Sequence, residues 1–151
     1  MNRRKNMDHV VYLDAKAKEL ELLLAARKTM IIRGAAGRKM PYGRVVEGDS
    51  LYFINNNAEG VILATAKVKS VFNSEKMTEE DSRKLVSRHQ AKLQLTGPQY
   101  ERWAGKRYLV LIEVSGARRV EPFQIDRSRY ENMDDWLPVE HIEDARARIR
   151  G

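Results

Sequence analysis

The amino-acid sequence predicts an α+β fold, a small mixed β-barrel capped by helices. The length of 151 residues suits one domain with a sizeable core. The predicted elements follow the order β, α, β, β, β, α, α, β, β. Their strands are too short and too rich in turn residues for a doubly wound parallel sheet, whereas a mixed barrel accommodates both features.

The first three elements are a strand, a helix and a second strand. Residues 9–13, HVVYL, form an apolar run that ends at Asp14, a residue type favoured at helix N-caps. Apolar residues at helical spacing then predict an amphipathic helix over 15–27. The β-prone residues 29–32 follow directly, so we expect this strand to begin where the helix ends.

A hairpin and two helices occupy the middle of the chain. The segments SLYFI, 50–54, and VILATAKVKSVF, 61–72, flank a turn rich in Asn and Gly, which predicts a β-hairpin. A threonine followed by three acids predicts a helix over 79–93. A proline suited to the first helical turn predicts a short helix over 97–104.

The last third of the sequence contains its strongest strand pattern. RYLVLIEV, 107–114, is expected at the centre of the sheet. The segment 119–125 predicts a final or edge strand, because its proline limits hydrogen bonding. Residues 132–151 predict a loop and then a C-terminal helix, whose arginines suit the negative end of the helix dipole.

Positive charge is concentrated in one segment. The chain has 28 Lys and Arg against 21 Asp and Glu, a net charge of +7, and residues 25–48 contain six cations and one acid. The loop 34–48 is longer than most connections in compact domains, which is typical of functional loops. Charge on a strand and its following loop can line a concave surface, so we expect a phosphate-bearing polyanion as the partner.

This basic segment supplies most of the candidate binding residues. Lys28 and Arg33 can share a cleft only if Lys28 still belongs to the end of the helix. The alternative is that Lys28 only compensates the partial negative charge at the helix C-terminus. Backbone amides and cationic side chains of the following loop can both reach a phosphate. The alternative is that these cations are ordinary solvated surface charges without a ligand. The loop candidates are Arg38, Lys39, Tyr42 and Arg44.

A second group combines aromatic rings with cations. Trp103 and Tyr108 lie close in sequence to Arg102, Lys106 and Arg107, and this mixture suits base stacking together with phosphate binding. The alternative is that both aromatic side chains belong to the core, which large aromatics dominate in small domains. The candidates from this group are Trp103, Lys106, Arg107 and Tyr108.

Several classes of function are disfavoured. Without cysteine the chain has no disulfide, thiolate zinc site or cysteine nucleophile, which fits a reducing cytoplasm. His9, His89 and His141 lack metal-ligand spacing, and GAAGRK lacks the spacing of a P-loop, so we predict neither a metal nor a cofactor. No apolar run approaches the roughly 18 residues of a spanning helix. We therefore expect a cytoplasmic protein with no membrane segment.

Several segments together resemble the ASCH domain of the PUA-like superfamily. They are the helix ending in AARKTMIIRG, the basic loop after it, VEGDSLYF, ILATAKVKSVF and the late strand RYLVLIEV. The likeness covers residues 9–115, so residues 1–151 are interpreted as one ASCH/PUA-like domain with 116–151 as a C-terminal extension. The resemblance implies a cleft at the edge of a pseudo-barrel, RNA binding and, in some members, hydrolysis of modified nucleosides.

The hydrolase members resemble this chain at Lys28, but they carry a threonine three residues later, where this sequence has Ile31. Isoleucine cannot activate water or present a hydroxyl, and Thr29 is in the wrong place, one residue after the lysine instead of three. An acidic partner for the lysine would come from beyond the hairpin, and the sequence leaves three alternatives open: Glu75, Glu79 or Glu80.

The sequence therefore predicts an RNA-binding module that holds backbone phosphate in a basic cleft and reads a base by stacking. Under this hypothesis no residue is catalytic. The alternative hypothesis is a hydrolase acting on a modified nucleoside or nucleic acid, with Lys28 as the catalytic base.

Overall fold

A computed structural model describes residues 5–126 and 135–147. These residues form six strands in one sheet, four short α-helices and one 3₁₀ helix. The strands are β1 (Asp8–Leu13), β2 (Met30–Ala35), β3 (Ser50–Asn55), β4 (Val61–Asn73), β5 (Tyr108–Gln124) and β6 (Trp136–Val139). The helices are α1 (Glu19–Leu24), α2 (Glu79–Arg88), α3 (Gln90–Leu93), α4 (Gly97–Trp103) and the 3₁₀ helix Ile142–Ala145.

The sheet is mixed and has the strand order β2-β5-β4-β3-β1-β6. Strands β1 and β3 are parallel, while the other neighbouring pairs are antiparallel. The sheet curls into a half-barrel. The predicted α+β class and small helix-capped barrel are therefore confirmed.

Strand β2 is buried on both faces. Ile31 lies in the barrel core with Phe53 and Ile112. Met30 and Ile32 face the other way, into a second cluster formed with residues of α2, α3 and α4. A strand between two apolar layers does not alternate apolar with polar residues, which explains the continuous run of apolar side chains before Arg33.

The first helix is shorter than the sequence predicts for 15–27. The chain makes a turn after β1, in which the carboxylate of Asp14 accepts a backbone hydrogen bond of 3.0 Å. Lys18 then has a left-handed backbone, with φ of 55°, immediately before α1 begins. After α1, Ala26 has φ of 57° and reverses the chain. The apolar spacing continues through both turns, so periodicity alone overestimates the helix.

Two other boundaries differ from the sequence predictions. The helix expected over 79–93 is divided at His89 into α2 and α3. Strand β5 continues through Gly116 as far as Gln124, so the segment 119–125 extends the central strand instead of forming a separate one. The pairing of β5 with β4 contains register shifts, which let such a long strand follow the curve of the barrel.

The segment after residue 134 also differs from prediction. The sequence predicts a loop, but residues 136–139 form β6, which pairs antiparallel with β1. The predicted C-terminal helix reduces to the 3₁₀ helix within the described residues, and its remainder, 148–151, lies outside them. Pairing with β1 over long range outweighs the local signals from Pro138 and its acidic neighbours.

A buried chain of three polar side chains joins the two ends of the fold. The indole N–H of Trp136 donates to Nδ1 of His9 at 3.1 Å, and Nε2 of His9 lies 2.8 Å from Oδ2 of Asp49. His9 and Asp49 have no solvent exposure. An indole can only donate, so Nδ1 of His9 accepts and its Nε2 carries the proton given to Asp49. We call these residues the buried polar chain.

Asp49 is held in place by the turn that precedes β3. Its carboxylate accepts backbone hydrogen bonds from Met7 at 3.0 Å and Val46 at 3.1 Å. Gly48 has φ of 93°, and a Cβ there would lie 2.7 Å from the side-chain nitrogen Nδ2 of Asn6. Only glycine fits this turn without strain, so the Gly48–Asp49 pair fixes the anionic end of the buried polar chain.

Loss of the indole donor should destabilise the fold. We expect Trp136→Phe to lower the free energy of unfolding by about 1 to 3 kcal/mol more than Trp103→Phe does, because only the first change leaves a buried acceptor without its donor. Trp103 is similarly buried, at 8% exposure against 2%. Urea denaturation of both variants measures the difference, and equal midpoints would contradict the assigned hydrogen bond.

Candidate functional site

A cleft lies at one end of the half-barrel, between β1, β2, α4 and Asp135. It consists of two adjoining cavities of about 260 and 330 Å³ that share Arg33, Arg102, Trp103 and Asp135. We call the cavity with Asp14 and Glu19 the carboxylate end, and it is also lined by Tyr12, Leu13, Asn56, Pro98 and Gln99. We call the other cavity the basic end, and it is also lined by Gly34, Lys39, Met40 and Lys106.

The two ends differ in charge. The carboxylate end adds two acids to the shared residues, whereas the basic end adds two exposed lysines, Lys39 and Lys106. Gly34 forms part of the basic end, and a Cβ there would lie 2.6 Å from a side-chain carbon of Leu109. A side chain at this position would clash with β5, so the close packing of β2 against β5 requires glycine here. A ligand that spans the cleft would place its negative charge at the basic end.

Arg33 forms the wall common to both cavities. It is 6% exposed and lies between two tryptophans, with Cζ 5.5 Å from the ring centroid of Trp103 and 5.7 Å from that of Trp136. Its terminal nitrogens donate to the carbonyls of Ile32 and Tyr12 at 2.7 and 2.6 Å. Planar guanidinium groups are well suited to such stacked, buried positions. Arg33 is thus a fixed charge in the cleft wall.

One nitrogen of Arg33 remains without a hydrogen bond. Its buried Nε has no hydrogen-bond partner among the described residues. The nearest acid is Asp135, whose Oδ2 lies 3.4 Å from that Nε and 3.3 Å from Nη2 of Arg102. Arg102 in turn lies over the ring of Trp103, with Cζ 4.3 Å from the centroid. Asp135 therefore bridges a buried and an exposed guanidinium.

Lys28 lies beneath the cleft and is 1% exposed. Its ammonium donates to the carbonyl of Leu93 and lies 3.1 Å from Oε2 of Glu19. Burial lowers the pKa of Lys28, and the attraction of Glu19 opposes that shift while the positive charge of Arg33 adds to it. A side chain held in this way presents no charge to a phosphate at the surface.

The loop after β2 forms a separate aromatic cluster. Arg38 has its Cζ 5.6 Å from the ring centroid of Tyr42 and 5.7 Å from that of Tyr108. The two tyrosine rings meet edge to face, with centroids 5.8 Å apart. The hydroxyl of Tyr42 donates to the carbonyl of Ser74, which anchors the loop against the end of β4. The exposed guanidinium of Arg38 is thereby held over two aromatic faces.

The structure brings together only some of the candidate residues. Those that line the cleft are Arg33, Lys39, Trp103 and Lys106. Arg38, Tyr42 and Tyr108 form the aromatic cluster of the loop, and Lys28 is buried below. Arg44 and Arg107 are exposed and line neither cavity.

Several lining residues have no signal of their own in the sequence. Asp135 lies next to Trp136, but nothing local indicates that it faces Arg33 across a distance of about 100 residues in the chain. The sequence indicates Asp14 only as a helix N-cap and not as a residue of the cleft. Arg102 is the exception, because its position beside Trp103 already suggests a cation against an aromatic ring.

The carboxylate that pairs with Lys28 is not one of the three that the sequence leaves open. Glu79 pairs with Arg83 and Glu80 pairs with Lys84 on the exposed side of α2, and Glu75 is exposed. Glu19 takes that position because the chain reversal after α1 brings Lys28 back beside the start of the helix. Ile31 is fully buried in the barrel core, so it offers no group to a substrate.

The described residues contain neither a metal-binding cluster nor a membrane-spanning helix. Within 5–126 and 135–147, no group of three or more His, Cys, Asp or Glu residues is arranged to hold a metal ion. In the same part of the chain, no helix is long and apolar enough to cross a membrane.

Comparison with known proteins identifies the fold. The solved ASCH protein of Zymomonas mobilis is 13% identical, with a TM-score of 0.65 over 91% of this chain and 90% of that chain. A single-substitution variant of that protein gives the same TM-score over 93% of its chain. The N-terminal domain of Staphylothermus marinus McrB is 7% identical, with a TM-score of 0.50 over 95% of this chain and 96% of that chain. The sequence matches no protein-family model and no curated protein. The chain has an ASCH-like fold, as the sequence resemblance implies.

Removing one partner of the buried Lys28–Glu19 pair should destabilise the fold far more than replacing both partners with neutral residues. We expect Lys28→Met alone to lower the free energy of unfolding by about 3 to 5 kcal/mol, because it leaves Glu19 buried without its cation. The double variant Lys28→Met, Glu19→Gln should be nearly as stable as the wild type. Chemical denaturation at neutral pH distinguishes them, and equal losses in both variants would contradict the pairing.

The same pair predicts a dependence on pH. In the folded protein Lys28 releases its proton below its ordinary pKa of 10.5, so in that window the unfolded chain binds more protons and stability rises with pH. Relative to that of the double variant, the free energy of unfolding of the wild type should rise by up to about 1.4 kcal/mol per pH unit as the pH approaches 10.5. A difference that stays constant or falls would contradict a lowered pKa of Lys28 in the folded protein.

Proposed function

We propose that this chain is an RNA-binding module whose cleft holds the phosphate backbone at its basic end. The observation that carries the proposal is the convergence of Lys39, Lys106 and Arg102 beside Trp103 in one cavity. Cations next to an aromatic ring are the combination that single-stranded nucleic acid requires, since phosphates and bases are bound at neighbouring points.

The geometry also suggests how a base would be bound. Arg102 has a side chain that is 60% exposed, and its guanidinium covers the face of Trp103. A base would stack on this guanidinium plane, or displace it and stack on the indole itself. The carboxylate end then accommodates the edge of the base, where Asn56 and Gln99 offer amide groups.

The aromatic cluster of the loop extends this surface. Arg38 and Tyr42 lie on the segment that also supplies Lys39, and Tyr108 lies two residues after Lys106. A strand leaving the basic end would pass over Arg38, where cation and aromatic faces again coincide. Arg44 and Arg107 would add electrostatic attraction at longer range.

The proposal also includes the cofactor requirement, the cellular location and the domain boundaries of the protein. The module would act without a metal or cofactor, because the contacts above need only side-chain and backbone groups. A cytoplasmic location is consistent with the lack of cysteine. Residues 116–151 would belong to the same single domain, since they contribute the end of β5, the strand β6 and Asp135.

Salt dependence tests the proposal directly. Binding of a mixed single-stranded RNA pool, followed by fluorescence anisotropy, should weaken with salt along a log-log slope of about −0.7 per phosphate contacted. Lys39→Ala with Lys106→Ala should reduce the steepness by about 0.7 for each lysine. The matched control, Lys67→Ala with Lys84→Ala, removes the same charge from outside the cleft and should leave the slope nearly unchanged. A response independent of salt, no binding at low salt, or equal effects in both double variants would refute the proposal.

A further inference from the structure

We propose that Arg33 and Arg102 form a phosphate subsite in the middle of the cleft, and that the carboxylate of Asp135 occupies it when no RNA is bound. Asp135 would then act as a built-in competitor, which a phosphate displaces. This inference rests on the proposed function for the identity of the ligand as RNA, but the subsite itself is argued from the contacts alone.

The hydrogen bonding of Arg33 is incomplete. Two of its nitrogens donate to backbone carbonyls, while the buried Nε has no hydrogen-bond partner among the described residues. A charge-assisted hydrogen bond of this kind is normally about 2.7 to 2.9 Å long, yet Asp135 remains 3.4 Å away. Asp135 therefore balances the charge of Arg33 without completing its hydrogen bonds.

The arrangement of the two arginines suits a phosphate better than a carboxylate. Two guanidinium groups converge on a single carboxylate oxygen, Oδ2 of Asp135, at 3.4 and 3.3 Å. A phosphate offers several acceptor oxygens at once and is the anion that paired arginines bind best. The position of that oxygen lies on the boundary of the two cavities, so a phosphate there would join the basic end to the carboxylate end.

The carboxylate of Asp135 can leave the subsite while the backbone of this residue stays in place. The carbonyl of Asp135 accepts a hydrogen bond of 3.0 Å from the backbone N–H of Tyr12. The next residue, Trp136, is held by His9 of the buried polar chain. The side chain of Asp135 is 31% exposed and that of Arg102 is 60% exposed, so both can rotate towards solvent without disturbing β6.

A matched pair of variants separates this specific role from a general effect of charge. Asp135→Asn and Glu101→Gln each remove one negative charge and keep the size of the side chain. Glu101 is exposed on α4 beside Arg102 in sequence, and it lines neither cavity. Of these two acids, Asp135 is the one that touches the two arginines of the subsite.

The experiment compares binding of a fluorescein-labelled, mixed-sequence single-stranded RNA by the wild type and both variants. Asp135→Asn should bind about fivefold more tightly or better, because the carboxylate no longer opposes the phosphate. Glu101→Gln should change the affinity by less than about twofold, since its charge is exposed, lies outside the cleft and is screened by salt. Equal gains in both variants, or weaker binding by Asp135→Asn, would overturn the inference.

Inorganic pyrophosphate distinguishes failure of the subsite from failure of the RNA proposal. It should raise the melting temperature of Asp135→Asn more than that of the wild type or Glu101→Gln, because a ligand that binds only the folded state stabilises that state. Pyrophosphate stabilisation without RNA binding by any variant would refute the proposed function and leave the subsite intact. No stabilisation of folded Asp135→Asn would refute the subsite.

A second variant keeps the test decisive if Asp135→Asn folds poorly. Arg102→Gln changes an exposed side chain and removes half of the subsite. In an otherwise wild-type chain it should weaken RNA binding several-fold more than the similarly exposed Lys84→Gln does. Equal effects of these two changes would contradict a subsite at Arg102.

Discussion

The fold depends on the hydrogen bonds that join Asp49, His9 and Trp136 in the interior. Such groups are stable in an apolar environment only when each finds its partner, and here each one belongs to a different part of the chain. The arrangement attaches β6 to β1 and β1 to the turn before β3. Because Asp135 precedes Trp136 directly, this same attachment places an acid between the two arginines of the cleft.

The cations of this strongly basic chain fall into two groups that differ in burial. Lys28 and Arg33 are inside the protein, where a carboxylate, backbone carbonyls and indole rings compensate their charge. Lys39, Arg102 and Lys106 remain accessible and give the cleft its positive end. A count of cations along the sequence cannot separate these groups, since burial depends on contacts between distant segments. The accessible group therefore gives the cleft its positive end, and Arg33 adds a fixed charge in the cleft wall.

The sequence predicts the fold class because its signals there are local. The strand pattern of 107–114 and the Asn- and Gly-rich turn before 61–72 identify elements of the sheet without reference to the rest of the chain. The strand β6 could not be predicted in this way, because four residues with a proline become a strand only when β1 lies beside them.

The site is predicted less completely for the same reason. Arg33, Lys39, Trp103 and Lys106 are found through their residue types and neighbours, and they do line the cleft. Glu19 and Asp135 are not found, since an acid within a helix or a loop is unremarkable until a chain reversal or a strand pairing sets it against a cation. Burial of Lys28 likewise depends on the left-handed residue Ala26, which no periodicity reveals.

The hydrogen bond from Trp136 to His9 spans 127 positions of the chain, and this has a consequence for biogenesis. Contacts of such long range form late, because a large loop must be closed before they can contribute. During synthesis the ribosome releases β1, β2 and α4 well before residue 136. The cleft therefore acquires its final wall only after the other strands have emerged, and a nascent polypeptide lacks the completed site until that moment.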